Sequence, residues 1–87
     1  MHYEKERIDQ KLSDIIITIK PDVNGSTLCP NTDLISDLGF DSLSLIRLVV
    51  DIEIEFGISV PDEFMRQDNI RKFGNIYRWV EKLISNL

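Results

Sequence analysis

The chain has 87 residues, 43% of them apolar, and a formal net charge of −5. This length and composition predict a single domain, residues 1–87, with one small core. They exclude a membrane-spanning segment, because no run approaches the ~18 apolar residues that a span requires, and the single cysteine, Cys29, excludes an internal disulfide framework.

Acidic residues are concentrated in the middle of the chain, where residues 33–63 contain eight acids and one base, Arg47. Such a surface repels nucleic acid and anionic membranes. It favours a partner with a basic face, and an acidic face that serves only solubility is the alternative. The charged first ten residues lack the apolar segment of a signal peptide. Together with the single cysteine, they predict a free-standing, monomeric, cytoplasmic protein.

The first predicted helix begins near Tyr3 and ends at Ile19, because Pro21 disfavours helical backbone at Lys20. Its apolar residues recur at spacings of three and four, which predicts one buried stripe. The stripe consists of Ile8, Leu12, Ile15 and Ile19, widened by Ile16 and Ile17.

Residues 20–41 are rich in Pro, Gly, Asn, Ser and Asp, which predicts a long loop between the first two helices. We expect a short helical turn near Thr32–Leu38, capped by Asn31 or Thr32. No recognisable partner lies near Cys29, which we interpret as a loop residue that fills a gap. We expect the loop to attach to the core through four apolar side chains: Leu28, Leu34, Ile35 and Leu38.

The second predicted helix runs from Ser42 to about Phe56 and stops at Gly57. At ~100° per residue, its apolar side chains fall on two opposite faces. One face holds Leu45, Leu48, Val49, Ile52 and Phe56, and the other holds Leu43, Ile46, Val50 and Ile54. A surface helix normally has one apolar face. We therefore assign the larger set to the core and expect the smaller set to form an exposed docking row. Coverage of this row by the 20–41 loop stays an alternative.

The chain is predicted to be extended up to Pro61 and then to form a short helix in "PDEFMRQ". The last helix spans about Ile70 to Ser85, with Trp79 half-buried at the edge of its apolar stripe. That stripe consists of Phe73, Ile76, Tyr77, Val80, Ile84 and Leu87. Three main helices, one short helix and no alternating strand pattern predict an all-α, small four-helix bundle.

Ser42 stands at the start of the second helix, directly after Asp41. Serine is a frequent N-cap, so a capping role alone accounts for it. The N–H groups and the dipole of a helix N-terminus also favour an anion, such as a phosphate ester on Ser42. A serine hydrolase is not expected, since the G-x-S-x-G motif is missing and the single histidine, His2, is terminal. One cysteine and one histidine, with no calcium-loop spacing among the acids, also predict that no metal is bound.

The segment "DLGFDSLSLIRLVVDIEIEFGISVPDE" (37–63) resembles the segment that bears 4′-phosphopantetheine in acyl and peptidyl carrier proteins. The matching features are Asp37-Leu38-Gly39 and Asp41-Ser42-Leu43, followed by Leu48, Val49, Ile52, Glu55 and Phe56. The resemblance implies a carrier rather than an enzyme. Its arm comes from coenzyme A, is attached to Ser42 by a separate phosphopantetheinyl transferase, and holds acyl groups as thioesters. Asp41 and Leu43 would help that transferase to recognise the site.

The resemblance also implies a surface for the transferase, a loading enzyme, and downstream synthase or tailoring enzymes. This surface consists of Leu43, Ile46, Arg47, Val50, Ile54 and Met65. Phe64 and Met65 would help to form a gap that shelters a bound chain.

Two departures from the family pattern bear on the cargo. Fatty-acid carriers usually have acids where this chain has Ser44, Arg47 and Ile54, and Arg47 is similar to an arginine of peptidyl carriers. Gly39-Phe40-Asp41 is closer to the acyl carriers. The resemblance therefore favours an acyl carrier of a specialised polyketide or nonribosomal pathway over one of housekeeping fatty acid biosynthesis. An aminoacyl or peptidyl carrier, including the D-alanyl type, is the alternative, and a helical adaptor without cargo is a remote one.

Overall fold

The computed structural model describes residues 5–23 and 28–86, which form four α-helices and one short 3₁₀ helix. The predicted all-α bundle is confirmed, and the described residues contain no strand, only an isolated bridge between Asp33 and Lys72. The predicted start of the first helix at Tyr3 lies outside the described residues, as does His2. In chain order the elements are α1 (Lys5–Ile19), α2 (Ser42–Phe56), the 3₁₀ helix (Asp62–Met65), α3 (Gln67–Ile70) and α4 (Phe73–Ser85).

Helix α1 packs against both α2 and α4, and this position sets which of its residues are buried. Ile8, Leu12 and Ile16 are buried along one line of the helix. The other two residues of the predicted stripe, Ile15 and Ile19, are partly buried and pack against this core. Because α1 lies against two other helices, its most buried residues follow one another at a spacing of four, which is about one helical turn. Ile15 also lines an open groove between α1 and α2.

The last helix begins three residues later than predicted, at Phe73 instead of Ile70. Ile70 belongs to the one-turn helix α3, and Lys72 has extended backbone. The 28–40 loop accounts for the break, because the N–H of Phe73 donates to the carbonyl of Thr32 at 3.0 Å. This hydrogen bond to the loop takes the place of a bond within a helix at the junction between α3 and α4.

Trp79 is buried, so its predicted position at a half-buried edge is wrong. The ring of Phe64 stacks on it with centroids 5.7 Å apart, and its indole N–H donates to the carbonyl of Asn69 at 2.9 Å. The segment between α2 and α4 therefore covers this side chain, which the periodicity of α4 alone does not predict. Leu87, the last residue of the predicted stripe, lies outside the described residues.

The 28–40 loop is organised by Asp33, not by the predicted caps Asn31 or Thr32. One carboxylate oxygen of Asp33 accepts the N–H groups of Ile35 and Ser36, both at 2.9 Å, and the other pairs with Arg71. The N–H of Ser36 is the largest cause, ahead of Arg71, that lowers the pKa of Asp33. The predicted short turn is present, since the N–H of Asp37 donates to the carbonyl of Asp33 at 2.8 Å and that of Gly39 to the carbonyl of Ile35 at 3.1 Å, which is helical spacing. Only its cap differs from the prediction.

Two other loop predictions have different outcomes. The four apolar residues expected to attach the loop to the core do so: Leu34 is fully buried, and Leu28, Ile35 and Leu38 are partly buried and pack against the core. Cys29, in contrast, is exposed and does not fill a gap.

Candidate functional site

Ser42 is the first residue of α2, and its side chain is exposed. The capping role belongs to the residue before it. Asp41 has extended backbone, and its carboxylate accepts the N–H of Ser44 at 2.8 Å. The interpretation of Ser42 as the N-cap is therefore wrong, and its hydroxyl stands at the surface without a capping bond to Ser44.

The same hydrogen bond affects the charge next to the hydroxyl. The N–H of Ser44 is the main cause that lowers the pKa of the Asp41 carboxyl. An acid with a lowered pKa is ionised at neutral pH. Ser42 therefore has a permanent negative charge beside it, at a helix end whose dipole favours negative groups.

Two buried residues fix the approach of the chain to Ser42. Leu34 and Phe40 are both buried, and the N–H of Phe40 donates to the carbonyl of Leu34 at 2.9 Å. Between them Gly39 has a φ of 76°, a left-handed conformation that glycine adopts without strain. The turn is thus anchored in the core on both sides and leads directly to Asp41 and Ser42.

Helix α2 has the two apolar faces that its sequence predicts. The residues assigned to the core are all buried: Leu45, Leu48, Val49, Ile52 and Phe56. On the opposite face Leu43 is 77% exposed and Ile54 is 76% exposed, and Ile46 and Val50 are also exposed. We call these four the exposed row. The alternative in which the loop covers it is wrong, since their exposure leaves the row open to solvent.

The other residues of the predicted partner surface have different environments. Arg47 lies beside the row, and its guanidinium is 3.7 Å from the carboxylate of Asp51 one turn later. Met65 is exposed at the end of the 3₁₀ helix. Phe64 stacks on Trp79 and lines an open groove beside α4. That this groove shelters a bound chain stays a prediction.

The sequence predictions missed the cap at Asp41 and the part of Asp33 in organising the loop turn, although both have some signal in the sequence. Asp and Ser cap helices equally well, so Asp41 was as good a candidate for the cap as Ser42. The turn at Asp33 has the signal of an aspartate that bonds backbone two residues on. Its pairing with Arg71, 38 residues later, has no local signal.

The described residues contain neither a metal-binding cluster nor a membrane-spanning helix. No group of three or more His, Cys, Asp or Glu side chains in residues 5–23 and 28–86 is arranged to hold a metal ion. Within the same ranges, no helix has the length and apolar character needed to cross a membrane.

Comparison with known proteins gives concordant matches. A family profile described as "Phosphopantetheine attachment site" matches residues 11–76. The acyl carrier protein of Thermotoga maritima is 40% identical over 78 residues, which cover 90% of this chain and 93% of the relative. Acyl carrier proteins of Chlorobium phaeobacteroides (39% over 57 residues, 66% and 72% covered) and Helicobacter pylori G27 (29% over 66 residues, 76% and 82% covered) are also similar.

Proposed function

We propose that this chain, which belongs to the phosphopantetheine attachment-site family of acyl carrier proteins, bears its arm on Ser42. Members of the family hold 4′-phosphopantetheine covalently and are carriers, not enzymes. The observation that carries the assignment to Ser42 is its place at the exposed first position of α2, next to a separate cap. A serine that does not cap the helix can be esterified without removing the hydrogen bond that begins it.

The donor groups around Ser42 fit a phosphodiester. The first N–H groups of a helix have no carbonyl partner within it, and they favour an anion at this end. Of these amides, the carboxylate of Asp41 accepts the N–H of Ser44. We expect the amides that precede Ser44 in the first turn to donate to a phosphate on the Ser42 oxygen.

The attachment is a phosphoryl transfer that a separate transferase catalyses. The Ser42 oxygen forms a bond to the β-phosphorus of coenzyme A, and the bond from that phosphorus to the leaving 3′,5′-adenosine bisphosphate breaks. The hydroxyl proton passes to a base of the transferase. This chain presents the oxygen at a fixed helix end, with Leu43 exposed beside it as a contact. The bound arm supplies a thiol that holds the cargo as a thioester.

Intact mass measurement tests the site. The protein is incubated with coenzyme A and a broad-specificity phosphopantetheinyl transferase, and we expect the mass to rise by one phosphopantetheine. Ser42→Ala should gain nothing. Ser44→Ala, two residues later in the same helix turn, is the matched control and should gain the arm as the wild type does. Modification of Ser42→Ala, or no gain in any protein that remains helical by circular dichroism, would refute the assignment.

The cargo is the second part of the proposal, and we infer an acyl group used in a specialised pathway. The names of the relatives support the acyl group, and Arg47 beside the exposed row supports the specialised pathway, since it places a cation in an otherwise acidic region. The cytoplasmic location predicted from the sequence belongs to the same proposal.

Loading of the arm tests the cargo. The modified protein is offered to the malonyl transferase and ketosynthase of a bacterial fatty acid synthase system, and we expect poor elongation compared with that system's own carrier. Equal elongation would assign the chain to housekeeping fatty acid synthesis. Loading by amino-acid adenylating enzymes alone would favour the aminoacyl alternative.

A further inference from the structure

Two bases of α4 line the open groove beside this helix without a charged partner. Arg78 and Lys82 are exposed and lie one helical turn apart, so their side chains share one face of the helix. Neither forms an ion pair or a side-chain hydrogen bond with another described residue. Arg71, in contrast, is paired with Asp33. The groove therefore carries two positive charges that are left unpaired.

The acid nearest to these bases along α4 belongs to another face of the helix. Glu81 lies close to Tyr77, since burial first and then the charge of Glu81 raise the pKa of the Tyr77 hydroxyl. At ~100° per residue, the pair Tyr77–Glu81 is centred roughly 100° around the helix from the pair Arg78–Lys82. Glu81 therefore leaves both cations available on the side of the groove.

The rest of the groove consists of aromatic and amide side chains. It has a volume of about 280 Å³, and its lining is completed by Phe64, Asn69, Asn75 and Trp79. The stacked rings of Phe64 and Trp79 form an apolar wall against which methylene groups pack. At about 30 Å³ for each water-sized group, the groove has room for roughly nine such groups. These dimensions and charges fit a short acyl chain that ends in an anion.

The groove is within reach of an arm on Ser42. Asn69, which lines it, stands two residues before Arg71, whose carbonyl accepts the N–H of Leu34 at 2.7 Å. The carbonyl of Leu34 in turn accepts the N–H of Phe40, two residues before Ser42, at 2.9 Å. Each such bond brings two Cα atoms to about 5.5 Å, so the path from Asn69 to Ser42 is roughly 20–25 Å and the straight distance is shorter. A phosphopantetheine arm with a five-carbon acyl group is about as long as six extended residues, or roughly 20 Å.

We propose that Arg78 and Lys82 bind the free carboxylate of the acyl group on the arm, so that the cargo is the thioester of a short dicarboxylic acid. The guanidinium of Arg78 offers parallel N–H donors to a carboxylate, and Lys82 adds a second positive charge one turn later. The inference rests on the function proposed for Ser42, because the arm brings the acyl group to the groove, and it narrows the class of acyl group proposed there.

Two acyl groups of equal chain length test the groove. A broad-specificity phosphopantetheinyl transferase attaches the loaded arm from glutaryl-coenzyme A or from pentanoyl-coenzyme A, so that both proteins carry five acyl carbons and only one carries a free carboxylate. The variant is Arg78→Gln with Lys82→Gln. Its matched control is Arg66→Gln with Lys72→Gln, which removes the same charge from two exposed bases that do not line the groove. Intact mass verifies the loading, and circular dichroism verifies that each protein is folded.

The amide NMR signals of positions 75, 78 and 82 report on occupation of the groove. In the wild-type protein we expect the glutaryl group to move these signals at least about twice as far from their places in the unloaded protein as the pentanoyl group does, because a charge-assisted contact adds to packing on the rings. The two acyl groups should have equal effects in the Arg78/Lys82 variant. The Arg66/Lys72 control should keep the wild-type difference.

Three outcomes overturn the inference while Ser42 remains the modified residue. Equal shifts for the two acyl groups in the wild type would mean that the groove does not recognise the carboxylate. A difference that persists in the Arg78/Lys82 variant would place the carboxylate on other residues. Its loss in the control as well would mean that the carboxylate responds to net charge alone. A wild-type protein that gains no arm would refute both this inference and the proposed function.

Discussion

Two isoleucines of α2, two residues apart, provide a direct test of its two faces. Ile52 is 0% exposed and Ile54 is 76% exposed. Replacing each by alanine removes the same atoms from the same helix. The two variants should therefore separate core stability from docking.

The expected loss of stability follows from burial. Ile52→Ala removes three buried carbons at about 0.8 kcal/mol each and leaves a cavity, so we expect a loss of about 3–4 kcal/mol, within the usual range for such changes. For a domain of this size that corresponds to a fall in melting temperature of roughly 12–30 °C. Ile54→Ala removes atoms that are already in water, and the better helix propensity of alanine adds a few tenths of a kcal/mol. Its net effect should be about zero.

Urea unfolding and transferase kinetics measure the two effects. Ile54→Ala should keep the wild-type stability and raise the KM for attachment of the arm to Ser42. Ile52→Ala should lose stability and, at temperatures where it is still folded, keep the wild-type KM. A loss of more than about 1 kcal/mol in Ile54→Ala would refute the reasoning, because only a buried side chain has that effect.

Three further predictions concern single polar groups. Asp41→Ala should lower the melting temperature by several degrees, while Ser42→Ala should leave it within about a degree, since Asp41 holds the cap; equal losses in two thermal scans would contradict this. Asp33 has a lowered pKa in the folded protein, so its contribution to stability is present above the unfolded pKa and is lost as pH falls through the folded value. Asp33→Asn should therefore flatten the fall in urea stability below about pH 4, and an unchanged slope would count against it. The Thr32 hydroxyl is the main cause that lowers the pKa of Cys29, so Thr32→Val should slow alkylation of Cys29 by iodoacetamide at neutral pH, whereas a constant rate would show that the contact is not made in solution.

The sequence predicted the elements whose periodicity is local. Leu45, Leu48 and Ile52 follow the 3.6-residue repeat of α2, and their burial was predictable without knowledge of any neighbour. Gly57 ends the helix as predicted, with a φ of 65° that places it in the left-handed region. Such features depend on the chain within one or two turns, which is why the pattern alone identified them.

What the sequence missed depends on contacts between distant segments. The break between α3 and α4 exists because the N–H of Phe73 bonds to Thr32, and Trp79 is buried because Phe64 lies over it. Gly74 belongs to the same group, since a Cβ there would lie 2.9 Å from the carbonyl oxygen of Pro30. No periodicity within α4 reports the position of a loop more than 40 residues earlier in the chain.

The acidic region shows a related limit of charge counting. Formal charge treats the eight acids of residues 33–63 as equivalent, whereas three of them, Asp33, Asp51 and Glu55, lie in ion pairs with bases of the protein. Glu53, in contrast, accepts the neutral N–H of Val60 and keeps its charge. The count therefore does not show which of these charges the protein itself neutralises.

The separation of the cap from the attachment site leads to a last prediction, on the effect of the arm itself. If Ser42 were the cap, esterification of its oxygen would disturb the bond that begins α2. Because Asp41 holds that bond, the arm adds only a negative charge at a helix end where the dipole favours it, opposed by the neighbouring carboxylate of Asp41. The modified and unmodified proteins should therefore melt within about three degrees of each other. Parallel thermal scans at equal salt measure this, and a larger fall on modification would show that the cap and the arm compete for the same helix end.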